Sequence, residues 1–263
     1  MTNLEATALG VIQGLTEFLP ISSSGHLVLI QRFLQLKAGL LFNISVHLGS
    51  MLAIIIFFRR DLVRILKGID IRNLMDNAQT RMLWFILVGS IPTALIGLIY
   101  KKKFIHLLDH IPLVGLMFIL TGTLLWLSDR VRFENKGILR MKASDALLIG
   151  LMQGIAVMPG ISRSGSTIAI GMFCGLKREL AMRFSFLLFL PAIFGAMLLQ
   201  LGGLKEGIGS IGLVSLILGT CVSFLSSWLA LHLLWGILKR RKLRIFSYYC
   251  WILSIFVLWG YFK

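Results

Sequence analysis

Two polar motifs interrupt an otherwise apolar chain, and they hold the residue types that could do chemistry. The first, residues 17–26, contains Glu17, a Ser-Ser-Ser-Gly run and His26; the second, residues 159–167, contains Arg163 among Ser, Gly and Thr. Ionisable side chains are costly inside a lipid bilayer, so those found within apolar segments are functional candidates by default. The two motifs are therefore the predicted functional site.

Both motifs have the local pattern of a helix start that binds an anion. Pro20 and Pro159 end the preceding apolar segments, and Ser22 and Ser162 are suited to cap the helices that follow. The first turn of a helix presents unpaired N–H groups and the positive end of the helix dipole, which together favour a phosphate. Each motif therefore predicts an anion site.

The ionisable residues extend this prediction to phosphate chemistry. Arg163 has a planar, permanently charged side chain suited to phosphate oxygens, and Glu17 could hold a divalent cation, Mg²⁺ or Ca²⁺, that also binds the phosphate. Ser23 or His26 could attack phosphorus or transfer protons, and the residues leave that choice open. Together they predict a site for a phosphorylated amphiphile whose tail lies among the apolar segments.

Other polar groups in the apolar segments are interpreted as packing residues. His47 and His232 lie within long apolar stretches, and serines there often serve close helix packing. The three cysteines (Cys174, Cys221 and Cys250) are odd in number and irregularly spaced, which argues against a disulfide framework or a zinc site.

Composition places these motifs in a membrane protein. Of the 263 residues, 57% are hydrophobic and 14% are charged, with a mean hydropathy of +0.87; soluble domains carry about 25% charged residues. The net charge of +16 comes from Lys/Arg clusters between apolar runs, as in cytoplasmic loops, so nucleic acid is not an expected partner. No linker divides the chain, and residues 1–263 are predicted to form one membrane domain.

The apolar runs predict an all-α fold. Two regions, 4–36 and 144–176, are broken by the motifs, and their second arms of about 12 residues would span only roughly 18 Å as helices. We expect each to form a re-entrant helical hairpin whose polar turn is buried in protein or faces a water-filled cavity. Six uninterrupted spanning helices are predicted at 41–58, 82–100, 111–128, 184–200, 211–238 and 245–262.

The two broken regions resemble each other. A shift of 140 positions aligns residues 13–26 with 153–166, and six of the fourteen pairs are identical, including Gln, Ser and Gly. We interpret this as an internal duplication with halves of about 1–128 and 144–263. Each half has one hairpin and three spans, so the second half is inverted relative to the first, which places the site near the midplane.

The basic residues predict the orientation. With the cluster 239–242 inside the cell, the inside segments 59–81, 129–142, 177–183 and 239–244 carry 19 Lys/Arg and the outside segments carry 7. The loops 59–81 and 129–142 are interpreted as solvated cytoplasmic faces. This bias predicts that both termini are extracytoplasmic. The lysines at 101–103 are the one cluster that opposes it.

At the two motifs the sequence resembles the undecaprenyl-diphosphate phosphatase family, the bacitracin-resistance proteins of bacteria. Residues 14–26 look like the family's first signature and residues 159–168 like its second, and the resemblance covers nearly the whole chain. It implies a metal-dependent phosphatase in the bacterial cytoplasmic membrane, which acts on a polyprenyl diphosphate at the outer face and returns the lipid carrier for cell-wall synthesis. It also implies an inverted repeat with two re-entrant hairpins, and a protein that can form homodimers.

The resemblance also implies roles for individual residues. Glu17 would be linked to the metal and to catalysis, with Ser23 as a candidate nucleophile and His26 as a catalytic partner. Arg163 would clamp the diphosphate. The expected substrate-binding residues are Gln13, Ser22, Ser24, Gly25, Ser162, Ser164, Gly165 and Thr167.

The sequence departs from the family pattern at two places. The family usually has a glutamate where this chain has Gln13, and an acidic residue and a glutamine near positions matching Asn43 and His47. A glutamine keeps an acceptor oxygen but holds no cation by charge and is not a base. A lower rate or metal affinity is therefore expected.

Two other functions would use some of the same residues. A transporter of a lipid phosphate or another anion would use the same inverted repeat and helix starts, but it would move label across a sealed vesicle without releasing phosphate. A phosphatase of the phosphatidic-acid type shares a faint likeness over residues 20–26. It lacks support because its basic first motif, and the His and Asp that follow its Ser-Arg element, are missing here.

Overall fold

The computed structural model describes residues 1–36, 38–70, 76–100, 110–132, 135–201 and 212–262. The prediction of orientation also used Lys37, Arg72, Lys101, Lys102, Lys103, Lys205 and Lys263, which lie outside the described residues, as does the first residue of the predicted span 211–238. Within the described ranges the regular structure is helical, as predicted, apart from an isolated bridge between Lys136 and Leu176.

The described residues form eleven α-helices. They are α1 (Asn3–Phe18), α2 (Ser23–Phe33), α3 (Leu40–Phe57), α4 (Arg59–Lys67), α5 (Ala78–Tyr100), α6 (Ile111–Ser128), α7 (Ala143–Ile155), α8 (Arg163–Phe173), α9 (Arg178–Leu201), α10 (Leu213–Lys239) and α11 (Arg244–Phe262).

Five of the helices are long and apolar enough to cross a membrane, which confirms five of the six predicted spans and makes the chain a multi-pass membrane protein. They are Leu40–Phe57, Ala78–Ile99, Ile111–Ser128, Arg178–Gln200 and Leu213–Lys239. The sixth predicted span, 245–262, lies within α11, a helix of 19 residues, and its crossing of the membrane stays a prediction.

Both broken regions are interrupted where the sequence predicts. Helix α1 ends at Phe18 before α2 starts at Ser23, and α7 ends at Ile155 before α8 starts at Arg163. Helices α2 and α8 have 11 residues each, which corresponds to about 17 Å, roughly half of the hydrocarbon thickness. Neither helix can cross a bilayer by itself.

Helix α1 packs against α10 through small residues. A Cβ added to Gly10 would meet the backbone of Gly219, and one added to Gly14 would meet the backbone of Ser223. Small residues let two helices in a membrane approach closely enough for extensive van der Waals contact. Helix α7 packs against α5 in the same way, with Gly150 against the backbone of Gly89.

The first and second halves share one core. Phe18, at the end of α1, packs edge-on against Phe186 and Phe189 of α9, at centroid distances of 5.5 and 6.5 Å. Helix α6 packs along α11, and α8 lies among α6, α7 and α9. The two polar turns are therefore enclosed by helices of both halves.

Ion pairs join segments that the charge pattern predicts to be cytoplasmic. Arg178 pairs with Asp129 at 2.7 Å, with both side chains 7% exposed, and Arg183 pairs with Asp61 at 3.2 Å. Asp61 belongs to α4, a helix within the predicted loop 59–81 that the sequence reading treated only as a solvated face. These pairs tie α4 and the residue that follows α6 to the start of α9.

Candidate active site

The two polar turns are in direct contact, although 138 positions separate Ser22 from Gly160. The Gly160 N–H donates to Ser22 Oγ at 3.1 Å, and the Ser164 hydroxyl donates to the Leu19 carbonyl at 3.4 Å. A Cβ on Gly165 would approach Pro20. The chain thus folds so that the starts of α2 and α8 meet.

The two serines predicted as caps do cap their helices. Ser22 Oγ accepts the N–H of Gly25 at 3.3 Å, and Ser162 Oγ accepts the N–H of Gly165 at 3.1 Å. The other hydroxyls of the turns also have partners within the protein: Ser24 lies 3.4 Å from Ser22, and Ser164 lies 3.3 Å from Ser162. Binding of substrate by these groups stays a prediction.

Backbone strain falls on different residue types in the two turns. Ser22 has φ +70°, in the left-handed region that disfavours a side chain, whereas Ser162 has φ −75°. In the second turn the positive φ of +93° falls on Gly160, where it costs little. A strained non-glycine residue persists when its surroundings hold it in place, and Ser22 is held by the Gly25 and Gly160 N–H groups.

Thr121 of α6 links the second turn to the helix beside it. Its hydroxyl accepts the N–H of Ser162 at 3.0 Å and donates to the carbonyl of Gly160 at 2.9 Å. Thr121 is buried. Sequence reasoning missed it because a single threonine in an apolar span carries no pattern.

Glu17 is the centre of the hydrogen-bonded cluster. Its Oε1 accepts from Arg163 Nη2 at 2.6 Å, and its Oε2 accepts from the Ser23 hydroxyl at 2.6 Å and from Gln13 Nε2 at 2.9 Å. The carboxyl side chain is only 6% exposed. A buried carboxylate is tolerated when a cation and hydrogen-bond donors surround it, and here the cation comes from the other half of the chain.

Arg163 retains a donor beyond its pair with Glu17. Its guanidinium carbon lies 3.1 Å from the ring centroid of Phe189 on α9, which fixes the plane of the guanidinium. Nη1 is buried and has no hydrogen-bond partner among the described residues. This N–H group is free to bind an oxygen of a ligand. Sequence reasoning missed Phe189, which is one of eighteen phenylalanines in the chain.

His26 lies apart from this cluster. Its Nδ1 is 2.7 Å from the Ser22 carbonyl oxygen, and its Nε2 is 2.7 Å from the hydroxyl of Tyr249 on α11. In the described part of the chain no hydrogen bond joins His26 to Glu17 or Ser23. The structure therefore groups three of the four predicted catalytic residues and places the fourth beside a tyrosine that sequence reasoning missed.

The remaining predicted residues have local roles in the structure. Thr167 donates to the Arg163 carbonyl at 2.7 Å and bonds to the Ser185 hydroxyl of α9, so it fixes the start of α8. His47 Nδ1 lies 2.8 Å from the carbonyl oxygen of Asn43, one turn earlier on α3. The His232 ring packs against the ring of Trp228 at a centroid distance of 4.2 Å and an interplanar angle of 52°, which agrees with a packing role. The three cysteines are free thiols in the structure.

The oxygen atoms near Glu17 decide whether the site could hold the expected divalent cation. Within the described ranges no group of three or more His, Cys, Asp or Glu residues could hold a metal ion. Gln13 Oε1, however, is a buried acceptor without a hydrogen-bond partner in the part of the chain that the structure describes, and it belongs to the side chain bonded to Glu17. A cation that takes most ligands from substrate phosphates and water needs only such oxygens from the protein. The residues fit this mode of binding.

Fold and site together define a class: a multi-pass helical membrane protein with a buried cluster of carboxylate, hydroxyl and guanidinium at two contacting turns. The model of the family "Bacitracin resistance protein BacA" matches residues 6–256, and the chain belongs to this family. This confirms the family predicted from the two motifs.

Curated relatives match the chain over nearly its whole length. It is 43% identical over 271 residues to the undecaprenyl-diphosphatase of Desulfosudis oleivorans, covering 98% of each chain. It is 41% identical over 256 residues to that of Syntrophotalea carbinolica, covering 97% of each. The protein of the same name from Methanobrevibacter smithii is 35% identical over 275 residues, covering 99% of this chain and 98% of the relative.

Proposed function

We propose that this protein hydrolyses undecaprenyl diphosphate to undecaprenyl phosphate and inorganic phosphate, and so recycles the lipid carrier of cell-wall synthesis. Relatives named for this activity cover the chain nearly from end to end. The observation that carries the proposal is the cluster in which Glu17 accepts the hydrogen of Ser23 and pairs with Arg163. This cluster combines the hydroxyl of Ser23, the carboxylate of Glu17 as a base and the guanidinium of Arg163 as a phosphate-binding group in one buried place.

The 2.6 Å bond from Ser23 to Glu17 has the geometry of a nucleophile and its base. In the proposed first step, Ser23 Oγ attacks the terminal phosphorus while Glu17 takes the hydroxyl proton. The bond from that phosphorus to the bridging oxygen breaks, and undecaprenyl phosphate leaves as an anion. This assignment favours Ser23 over His26 as the attacking group.

In the proposed second step, water attacks the phosphoserine. His26, three residues after Ser23 on α2 and hence its neighbour along the helix surface, takes a proton of that water. The proton held by Glu17 returns to Ser23 Oγ as the bond from this oxygen to phosphorus breaks. Inorganic phosphate is released, and His26 gives its proton to solvent.

Arg163 and the predicted cation share the charge of the diphosphate in this proposal. The free Nη1 of Arg163 donates to a phosphate oxygen, while Nη2 stays on Glu17. An Mg²⁺ or Ca²⁺ ion held by the oxygens of Glu17 and Gln13 would neutralise further phosphate charge. Ser22, Ser24, Gly25, Ser162, Ser164, Gly165 and Thr167 shape the two helix starts that receive the phosphates.

We also propose the inverted repeat with two re-entrant hairpins as the architecture. Support comes from an exchange of partners: α1 of the first half packs on α10 of the second, and α7 of the second packs on α5 of the first. The aligned Gly10 and Gly150 lie at the two contacts. In this proposal α11 is the sixth span, both termini face the outside of the bacterial cytoplasmic membrane, and two chains associate as a homodimer.

Phosphate release by the purified protein tests the proposed function. Wild-type protein in detergent or nanodiscs is expected to release phosphate from undecaprenyl diphosphate, and a chelator is expected to reduce the rate. The Glu17→Gln variant, folded and monodisperse, is the control for contaminating phosphatases. Movement of labelled lipid across sealed vesicles without phosphate release would support the transporter function instead, which the names of the relatives do not favour.

A further inference from the structure

The His26 ring is held by two partners that leave it one tautomer. Nδ1 lies 2.7 Å from the carbonyl oxygen of Ser22, and a carbonyl only accepts, so Nδ1 carries the hydrogen. Nε2 of the neutral ring is then an acceptor, and the Tyr249 hydroxyl at 2.7 Å donates to it. Because Nδ1 is committed, a proton gained by His26 must go to Nε2, the nitrogen that faces Tyr249.

The Tyr249 hydroxyl can serve both protonation states of His26. It donates to Nε2 of the neutral ring and accepts from Nε2–H of the charged ring, which a carbonyl or an ammonium could not do. The rings of Tyr249 and His26 are stacked at 5.7 Å with an interplanar angle of 10°, and Phe118 of α6 meets His26 edge-on at 5.4 Å. Helices α2, α6 and α11 therefore fix the ring from three sides.

We infer that Tyr249 is a positioning residue, which sets the orientation and tautomer of His26: its hydroxyl donates to Nε2 in the resting site, turns its hydrogen away when the attacking water donates to Nε2, and then accepts a hydrogen bond from the newly formed Nε2–H. This inference rests on the proposed function, in which His26 takes a proton from the attacking water. Tyr249 itself has no hydrogen bond to Glu17, Ser23 or Arg163 within the described residues. Its effect on turnover passes through His26.

Adjacent tyrosines of α11 provide a matched pair of variants. Tyr249→Phe removes the hydroxyl and keeps the stacked ring. Tyr248→Phe removes the same group from a side chain of similar exposure whose ring contacts Trp251 at 6.0 Å and not His26. A structural contribution of tyrosine hydroxyls on this helix would affect both variants, whereas positioning of His26 requires Tyr249 alone.

The first test is steady-state phosphate release from undecaprenyl diphosphate. Since general acid–base catalysis contributes about 10²–10⁴-fold, His26→Gln is expected to lower kcat about 100-fold, and loss of its positioning partner about 10-fold. Tyr249→Phe should leave KM within about twofold, and adding it to His26→Gln should cause no further loss. Tyr248→Phe should retain the wild-type kcat. A Tyr249→Phe enzyme with wild-type kcat, or losses that multiply in the double variant, would overturn the inference.

The second test does not depend on turnover. In protein labelled with ¹⁵N-histidine, the imidazole resonances lost in His26→Gln identify His26 among the five histidines. Wild-type protein should show a protonated Nδ1 and an Nε2 that accepts a hydrogen bond; Tyr249→Phe should shift the Nε2 resonance, and Tyr248→Phe should not. An unshifted Nε2 in Tyr249→Phe contradicts the inference. A shifted Nε2 in a wild-type protein that releases no phosphate contradicts the proposed function instead.

Discussion

The first turn, residues 19–26, and the second turn, residues 158–167, have the same helix caps but carry different functional groups. Ser22 and Ser162 accept equivalent N–H groups three residues later. Where the first region has Glu17, the aligned residue of the second is Val157, and where the first has Ser23, the second has Arg163. In the proposed mechanism the first region therefore supplies the base and the nucleophile, and the second supplies the guanidinium.

The aligned glutamines show the same division. Gln13 Nε2 donates to the Glu17 carboxylate, whereas Gln153 Nε2 donates to the Leu188 carbonyl at 3.3 Å and to Thr93 at 3.3 Å. One amide supports a charged group and the other supports helix packing. The comparison teaches that two turns with the same cap can carry different and complementary side chains around it. Neither turn contains a complete site.

The largest effect is expected from removing the base of the first region. Glu17→Gln keeps the size and hydrogen-bonding capacity of the side chain but cannot take the Ser23 proton, so phosphate release should fall about 10³-fold or more. Val157→Ala changes the aligned position of the second region and should keep the rate within about threefold of wild type. Near-normal turnover by purified Glu17→Gln protein would remove Glu17 from the catalytic group.

Removing the guanidinium of Arg163, in the second region, should reduce stability as well as activity. Arg163→Ala should abolish measurable phosphate release, and it leaves Glu17 buried without its partner, a loss of about 3–5 kcal/mol. Adding Glu17→Gln removes the buried charge and should restore part of that loss. Thermal unfolding in detergent measures this. If the two destabilisations simply add, the pair does not couple the two turns.

The positive φ angle of Gly160 in the second turn predicts a smaller change of stability. Gly160→Ala places a Cβ at φ +93° against the Val114 carbonyl oxygen, so the free energy of unfolding should fall by about 1–3 kcal/mol. Gly195 lies inside α9, where an added Cβ would have no atom of the described residues within 4 Å, and Gly195→Ala should raise stability by about 0.5–1 kcal/mol. Equal melting temperatures for the two variants would show that the second turn is not held in this conformation.

The smallest effect concerns the metal. Gln13→Glu replaces a donor to Glu17 with a second carboxylate, so activity should stay within a few-fold of wild type with saturating cation and become more sensitive to a chelator. Titration with Mg²⁺ and with Ca²⁺ measures this change. Gln153→Glu, at the aligned position beside Leu188, should gain no cation dependence. A clear loss in Gln13→Glu at all cation concentrations would mean that the amide is required for another chemistry.

Features encoded by local sequence were predictable. Pro, Ser and Gly specify where helices end and begin with little help from distant residues, so both interruptions and both caps were predicted at the correct positions. Apolar runs of sufficient length likewise identified five spans. Helix α4 was also readable, because Leu62, Ile65 and Leu66 alternate with charged residues at helical spacing, but its segment was interpreted only as a solvated loop.

Residues that complete the site from the spans were not predictable. Thr121, Phe189 and Tyr249 lie on apolar helices that face lipid as well as protein, so hydrophobic periodicity does not show which side of each helix points inward. The separate position of His26 has the same origin. Its spacing from Ser23 suggested one catalytic group, but the rotation of α11 places Tyr249 against its Nε2.

The exchange of partners between the halves has a consequence for biosynthesis. Gly10 contacts Gly219, so α1 leaves the ribosome about 200 residues before its partner helix. At 5–20 residues per second this interval lasts about 10–40 s, during which the small-residue face of α1 has no native neighbour. The early helices can therefore reach their native packing only after the late ones have been made. A chain that stops before α10 leaves α1 without the helix against which it packs.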